Sequence, residues 1–314
     1  MATEVLSDRA VLATLMDRLD RDPGGWAGEV GMLFRSTQEI ETYKWLGQSP
    51  QMREWRGNRM AQSLRDSGIT LKNLPYEATL DIHEDDLRRD KFGQIQRRIG
   101  QLATNTNAHW AQLVSALINA GKTGLGYDGV AFFAATHSEG DSGTLSNLLT
   151  ASDYTALDVA VPAVPTAQEM AGALVAMLTH FATFKDDQGE PINENASRFL
   201  VMVPPMMLGT ARIAVSANTL TGSTGSEDNP VRQQVANIVP VPNVRLTSTT
   251  EITMYRTDAE DKPFILQEDQ AVRATAKGYG SEYAHDTKHH QYGVDATRAA
   301  GYGLWQYAMH ATFS

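Results

Sequence analysis

The 314-residue sequence predicts an α+β fold, with helices and strands occupying separate stretches of chain. Three observations lead there. An apolar stripe at helical spacing runs through Phe92, Ile95, Ile99, Leu102, Trp110, Leu113, Leu117 and Ile118, until Gly121, Gly124 and Gly126 stop it. Before it, Tyr76, Ala78, Leu80 and Ile82 alternate with Glu77, Thr79 and Asp81, the period of a half-buried strand. After residue 235 the chain reads as strands: Ile238–Leu246, Thr250–Arg256, Pro263–Gln267, and a closing pair at Gln291–Arg298 and Tyr302–Phe313.

The first element is a short amphipathic helix over residues 5–19, with Val5, Leu12, Leu15, Met16 and Leu19 near one face, broken by Asp-Pro-Gly-Gly at 22–25. It reads as a mobile arm. Residues 43–82 have another texture, with Trp45 and Trp55 among Gln, Arg, Asn and Gly. The long stripe then implies one helix over 92–118, about 40 Å at 1.5 Å per residue, with its weakest centre at Asn105–Asn107. A spine element suits that length better than a compact core helix.

A further helix starts at Thr166, where Glu169 three residues on completes a capping box and Met170, Leu174, Met177 and Phe181 form the stripe. The turn 185–191 leads to a strand, Arg198–Val203, and Pro204 and Pro205 can open another helix because proline at the first turn forfeits no intrahelical bond. Residues 217–230, rich in Ser, Thr, Gly and Asn, read as a long exposed loop.

Composition excludes several function classes. The chain is 42% hydrophobic, sufficient for a sizeable core, and its lack of cysteine rules out disulfides, thiolate metal ligation and a cysteine nucleophile. A net charge of −10 argues against binding nucleic acid by neutralising phosphates. Residues 123–197 hold 1 basic and 10 acidic side chains, read as a solvated face or a docking surface for a basic partner. Glu4, Asp8, Arg9, Asp17, Arg18 and Asp20 leave no clean apolar stretch for a secretory leader. The longest apolar run, Phe199–Leu208, is too short for a membrane-spanning helix, so no membrane association is expected.

Candidate chemical motifs fail on context. His285, His289 and His290 have spacings that would converge on a metal if helical, but they lie between strands and read as a solvated or interface cluster. His83-Glu-Asp-Asp86 reads as acids favoured at a helix start. Gly140-Asp-Ser-Gly143 imitates a protease nucleophile turn without the rest of that pattern. Gly124-Leu-Gly-Tyr-Asp-Gly129 matches a dinucleotide fingerprint but follows a helix instead of a strand, and Gly121-Lys-Thr123 lacks the leading glycine of a phosphate loop. No metal, cofactor or catalytic set is expected. A hydrolase or metal enzyme without a recognisable motif stays as the alternative, because catalytic groups gather in space and not in sequence.

Four ordered blocks carry a resemblance: Trp45-Leu-Gly-Gln-Ser-Pro-Gln-Met-Arg-Glu-Trp-Arg-Gly57, Leu80–Gly93, Tyr127-Asp-Gly-Val-Ala-Phe-Phe133 followed by His137, and Tyr292-Gly-Val-Asp-Ala-Thr-Arg298 with Gly301-Tyr-Gly-Leu-Trp-Gln306. With these blocks the sequence resembles the Mu-like prophage major head subunit family of phage capsids. The resemblance implies the Hong Kong 97 type capsid fold: an N-terminal arm (1–41), an E-loop (42–82), a peripheral domain with a spine helix (83–149), an axial domain (150–258) and peripheral C-terminal strands (259–314). It also implies a non-enzyme whose copies form hexamers and pentamers of an icosahedral shell, enclosing double-stranded DNA without sequence-specific contacts. Scaffold, portal and possible decoration proteins are the implied partners, and the virion, after assembly in the host cytoplasm, the location. An E-loop cannot bury both faces within its own subunit, so Trp45 and Trp55 are candidate anchors on a neighbour, with ordinary intrachain packing as the alternative. Gln48, Arg53, Glu54 and Arg59 complete the candidate interface set.

Overall fold

The computed structural model describes residues 8–20, 25–44, 68–89, 93–222, 225–234 and 236–314. In chain order the first half comprises α1 (Asp8–Asp20), α2 (Trp26–Val30), β1 (Gly31–Arg35), β2 (Ile40–Tyr43), β3 (Ile69–Lys72), β4 (Leu74–His83), α3 (Glu84–Arg89), α4 (Gln94–Asn107) and α5 (His109–Ala120). Three two-residue strands follow, β5 (His137–Ser138), β6 (Thr144–Leu145) and β7 (Leu148–Leu149), then α6 (Ala167–Phe181), β8 (Arg198–Val203), α7 (Leu208–Ser216), β9 (Thr219–Gly222) and β10 (Gly225–Asp228). The remainder is β11 (Asn237–Pro242), β12 (Glu251–Arg256), β13 (Phe264–Lys277), α8 (Glu282–Thr287), β14 (His289–Tyr302) and β15 (Ala308–Thr312).

Two sheets organise these elements. The first has the order β1-β13-β14-β4, antiparallel except for the parallel β1–β13 pair. Its central strands β13 and β14 have 14 residues each, about 46 Å at 3.3 Å per residue. Along β14, His290, Tyr292, Val294, Ala296 and Arg298 are buried while the residues between them are half-exposed, so one face is covered and the other is wetter. The cover is helical: Val11 and Leu15 of α1 and Ile95, Ile99 and Ala103 of α4 pack with Ile82, Tyr292 and Val294 of the sheet. The segment read as a mobile arm is therefore docked through α1, and its β1 extends the sheet. Tyr76–Ile82, assigned to the E-loop range by sequence, lies in β4, paired with β14 from Leu74–Arg298 to His83–His289.

The long helix is divided. Phe92 lies outside the described residues, and from Gln94 the helix runs to Asn107 and resumes at His109, with Ala108 at φ −70°, ψ −7°. Hydrogen bonds from Ala108 N to Thr104 O and from Gln112 N to Ala108 O carry the ladder through the break. Its cause is local: Thr104 and Thr106 hydroxyls donate back to the Gly100 and Leu102 carbonyls, a competition that bends helices.

The second sheet has the order β11-β8-β12-β15-β7. Phe199–Val203 is buried throughout, a continuous apolar run because both faces are covered, and α6 and α7 supply one cover. The capping box forms, with Thr166 Oγ1 accepting from Glu169 N and Glu169 Oε2 accepting from Thr166 N, and all four residues of its stripe are buried. Edge strand β11 turns its Asn237 amide inward, and the Asn243 amide just beyond it also points inward, so Pro240 and Pro242 occupy outward positions where a free N–H would invite another strand. The tract read as one exposed loop is a short hairpin, β9 with β10, beneath which the Asn229 amide donates to the Ala214 and Ala217 carbonyls.

The two closing segments do not pair with each other. β14 stays in the first sheet, whereas β15 sits between β12 and β7 in the second. A 3-10 turn at Trp305–Tyr307 redirects the chain, because Trp305 is fully buried at the crossing. The outgoing passage, 121–147, runs alongside it, and glycine is required there: a Cβ on Gly124 would lie 2.4 Å from Tyr302 Oη. One apolar core spans both sheets, joining Phe132, Phe264 and Tyr302 to Tyr255, Leu200 and Met309.

At the crossing lies a buried polar network. Tyr127 Oη and Trp305 Nε1 both donate to Glu139 Oε1, the latter at 3.2 Å, and Gln306 Nε2 donates to Tyr127 Oη at 2.7 Å. His137 stacks on the Trp305 indole with centroids 4.1 Å apart and planes 9° from parallel; its ring nitrogens face Asp128 Oδ2 at 2.5 Å and Asn147 Oδ1 at 3.3 Å. Asp186 is also buried, accepting from the Gln188 and Glu190 amides within its turn. The acid-rich stretch is thus not simply a solvated face: Asp128, Glu139 and Asp186 are structural acceptors, held inside because backbone and aromatic donors surround them.

Two predictions follow from this packing. Thr166→Ala removes one half of the capping box and lowers stability by about 1 kcal/mol in a urea titration. Burial raises the Glu139 carboxyl above its ordinary 4.5, against the opposing Tyr127 and Trp305 hydrogen bonds, so its contribution is complete below that value and is lost as pH rises through the raised one. Glu139→Gln removes this dependence. In melts from pH 4 to 9 the variant gains on wild type as pH rises; parallel curves would contradict the assignment.

Candidate subunit-interface site

The described part of the loop region is its root. β2 and β3 form an antiparallel ribbon with Ile40 opposite Lys72 and Tyr43 opposite Ile69, so the chain leaves β2 and enters β3 at adjacent strand ends. Trp45, Gln48, Arg53, Glu54, Trp55 and Arg59 all fall outside the described residues. What the structure places is the base on which that loop is built.

The base is anchored by side chains with opposite demands. Tyr43 buries its ring against Phe34, centroids 5.3 Å apart, and donates its hydroxyl to Gln267 Oε1 of β13 at 2.8 Å. Burial, with Glu41 adding to it, pushes that hydroxyl up to about 12, so it remains a donor throughout the physiological range. Leu71 lies over Gly301 of β14, where a Cβ would come within 2.3 Å of a Leu71 methyl. Asn73 closes the ribbon, its amide donating to Ser36 Oγ at 3.0 Å and to the Gln38 carbonyl at 2.8 Å. Outside this seat the pairing is polar, through Thr42 with Thr70 and Lys72 with Glu39. The ribbon is held at its base by buried contacts and bordered by solvated ones.

Sequence reasoning singled out the tryptophans and missed Tyr43, Leu71, Asn73 and Gln267. A signal exists in the short alternation Ile69-Thr-Leu-Lys72, with Leu71 the buried position, but Gln267, the acceptor for Tyr43, lies 224 residues beyond that tyrosine and nothing local marks it.

A second anchored point joins the end of α5 to the second sheet. Lys122 Nζ meets Glu251 Oε1 at 2.6 Å, and His310 Nε2 faces Glu251 Oε2 at 3.2 Å. Burial holds His310 below its usual range despite the pull of Glu251, so at neutral pH the ring donates Nε2–H as a neutral imidazole. The hydrogen bond from His310 and, with burial opposing, the one from Lys122 bring the Glu251 carboxyl down to about 2. This geometry fastens the end of α5 to β12 and β15 of the second sheet.

The histidines singled out by spacing are dispersed. His285 is on α8, whereas His289 and His290 are neighbours on β14 and therefore face opposite sides of the sheet. His289 lies 2.8 Å from Asp81, and His290 packs edge-on against Tyr279. Among the described residues no three His, Cys, Asp or Glu side chains come together as a metal set. No described helix is long and apolar enough to cross a membrane. Large exposed apolar side chains occur around the ribbon root, at Leu33, Ile40 and Leu74, and on the second-sheet half, at Val161, Val164, Met206, Ile213 and Val244.

The family model for the Mu-like prophage major head subunit gpT matches residues 16–161 and 226–313, well over half of the chain. The chain is 29% identical over 109 residues to the major capsid protein of Escherichia phage Mu, covering 35% of this chain and 36% of that protein. It is 28% identical over 139 residues to the Mu-like prophage FluMu major head subunit of Haemophilus influenzae, covering 44% and 45%. The matches thus span less than half the length of these curated relatives. In fold, the chain is similar to the subunit of the bacteriophage JBD30 procapsid, with a TM-score of 0.56 at 20% identity over 97% of this chain and 73% of that one. That likeness bears out the Hong Kong 97 type α+β fold. The ribbon root, the divided helix, the outgoing crossing and both long strands lie within the matched residues, and the chain belongs to the Mu-like prophage major head subunit gpT family.

Proposed function

We propose that this chain is a major capsid protein, whose copies associate as hexamers and pentamers into an icosahedral head enclosing phage double-stranded DNA. The observation that carries this reading is the family match along both ends of the chain, joined to a capsid-type fold. The role is structural and not enzymatic. Its acidic balance supports enclosure without adhesive, sequence-specific contacts, since a wall of net charge −10 per copy attracts no phosphate backbone. The virion is its destination and the host cytoplasm its place of assembly, with scaffold, portal and possibly decoration proteins as separate chains.

Within this reading the first sheet with α4 and α5 is the peripheral domain and the second sheet with α6 and α7 the axial domain; of the C-terminal strands 259–314, expected together in the peripheral domain, β15 instead joins the second sheet. Residues 1–41 supply the N-terminal arm, and the E-loop is the loop closed by the β2–β3 root. Trp45 and Trp55 anchor it on a neighbouring subunit, with Gln48, Arg53, Glu54 and Arg59 around them. The support is the root itself: a ribbon fastened at its base by Tyr43 and Leu71 transmits a load taken up at its far end.

Electron microscopy and sedimentation of the expressed chain, alone and with a scaffold, test the function. Closed shells, tubes or capsomers are expected; discrete small oligomers under every condition would reject it. Trp55→Ala tests the interface, because truncating a buried aromatic anchor costs roughly 2 kcal/mol or more of association. The variant is expected to keep the wild-type circular dichroism while association weakens by at least tenfold. Loss of secondary structure together with assembly would place Trp55 in the intrachain core.

A further inference from the structure

Where the long helix divides, it leaves a cavity of about 290 Å³ against the first sheet, with Tyr76, Ala78, Asn105, His109, Ala296 and Arg298 among its walls. The break and the cavity coincide: Asn105 and His109 flank Ala108, and Tyr76 closes edge-on over His109 with ring centroids 4.3 Å apart. Arg298 is the anomaly in this wall. Its side chain is only 2% exposed, yet its nearest carboxylate, Glu268, is 3.9 Å away, beyond hydrogen-bond reach. Its Nε is buried with no hydrogen-bond partner among the described residues, and its guanidinium carbon sits 4.6 Å over the Trp110 ring. A buried guanidinium supported by a ring face and one distant carboxylate is under-compensated, since a buried charge needs close pairing to offset its lost hydration.

We propose that this cavity is a socket for an acidic side chain carried by a second copy of the chain, with the incoming carboxylate pairing with Arg298. The inference rests on the shell-forming reading above. Three features select this occupant. A carboxylate matches the guanidinium fork in charge and planarity, giving short charge-assisted bonds that Glu268 is too far away to make. The cavity takes one or two side chains, too little for a docked helix. Glu77 and Asp295 line it, so a polyanion such as a nucleic-acid backbone meets repulsion along its length, whereas a single carboxylate needs only Arg298. Asp295 already accepts from Gln270 and Arg273, and Glu77 from Thr79 Oγ1, so neither competes for Arg298. Copies of a chain with net charge −10 offer such side chains in abundance.

The test places a photo-crosslinker in the wall, as Ala78→p-benzoylphenylalanine, in particles assembled from equal parts of ¹⁴N- and ¹⁵N-labelled chain. Irradiation is expected to give a mixed-isotope crosslink from position 78 to a peptide containing Asp or Glu. Only same-isotope crosslinks, or only crosslinks to another protein, would overturn the socket while leaving the shell reading intact. If wild-type chains form no particles at all, the shell reading fails and takes the socket with it. In parallel, Arg298→Met is expected to weaken assembly at least tenfold and Arg298→Lys to restore it in part. Assembly of Arg298→Met at the wild-type rate would overturn the pairing; should that variant not fold, the crosslink decides alone.

Discussion

Where the chain leaves the first sheet for the second, and again where it returns, Glu139 holds a carboxyl group inside the protein whose donors come from both passages. Tyr127 belongs to the outgoing segment, Trp305 and Gln306 to the returning one. A buried acceptor that loses a donor bears its full desolvation penalty, so the two passages are locked by the penalty of separation more than by the strength of any one bond. The stack of His137 on Trp305 adds a flat aromatic contact between the same two segments. With that lock in place, Phe132, Phe264 and Tyr302 form one core between the sheets, and neither sheet moves without disturbing the other.

From this junction the remaining structure extends outward in decreasing order of burial. The inner end of the first sheet is covered on both faces, and its outer end only on one, by α1 and α4. The ribbon root is fastened to that sheet by a handful of buried groups. A subunit built this way is firm at its centre and leaves its periphery, including Leu33, Ile40 and Leu74, to be covered by something else. Under the proposed shell-forming reading, neighbouring copies supply that cover.

Much of the fold was legible because its signals are local. The Thr166–Glu169 box and the Met170, Leu174, Met177 and Phe181 stripe lie within one helix, and the alternation of Tyr76–Ile82 lies within one strand. The division at Ala108 was half-legible: the polar run Thr104–Asn107 marked a weak centre, but not that threonine hydroxyls would compete for the helix carbonyls. Pairing was not legible. Residues 302–313 read as a partner for 291–298, yet a buried Trp305 turns the chain into the other sheet, and no periodicity records which sheet an apolar strand joins. The acidic stretch misled in the same way, since a count of charges does not reveal that Tyr127, Trp305 and two backbone amides await particular carboxylates. Of the candidate site, the resemblance named the loop and its tryptophans; the root residues Tyr43 and Gln267 depend on a contact across more than 200 positions.

The central claim is that one junction makes the two sheets a single cooperative body, and calorimetry of the unassembled subunit tests it most directly. The account predicts one transition in which calorimetric and van't Hoff enthalpies agree, dividing into two when Trp305→Ala removes both the Glu139 donor and the His137 stack. Two separable transitions in the wild-type subunit, or a single transition left undivided by that substitution, would contradict it.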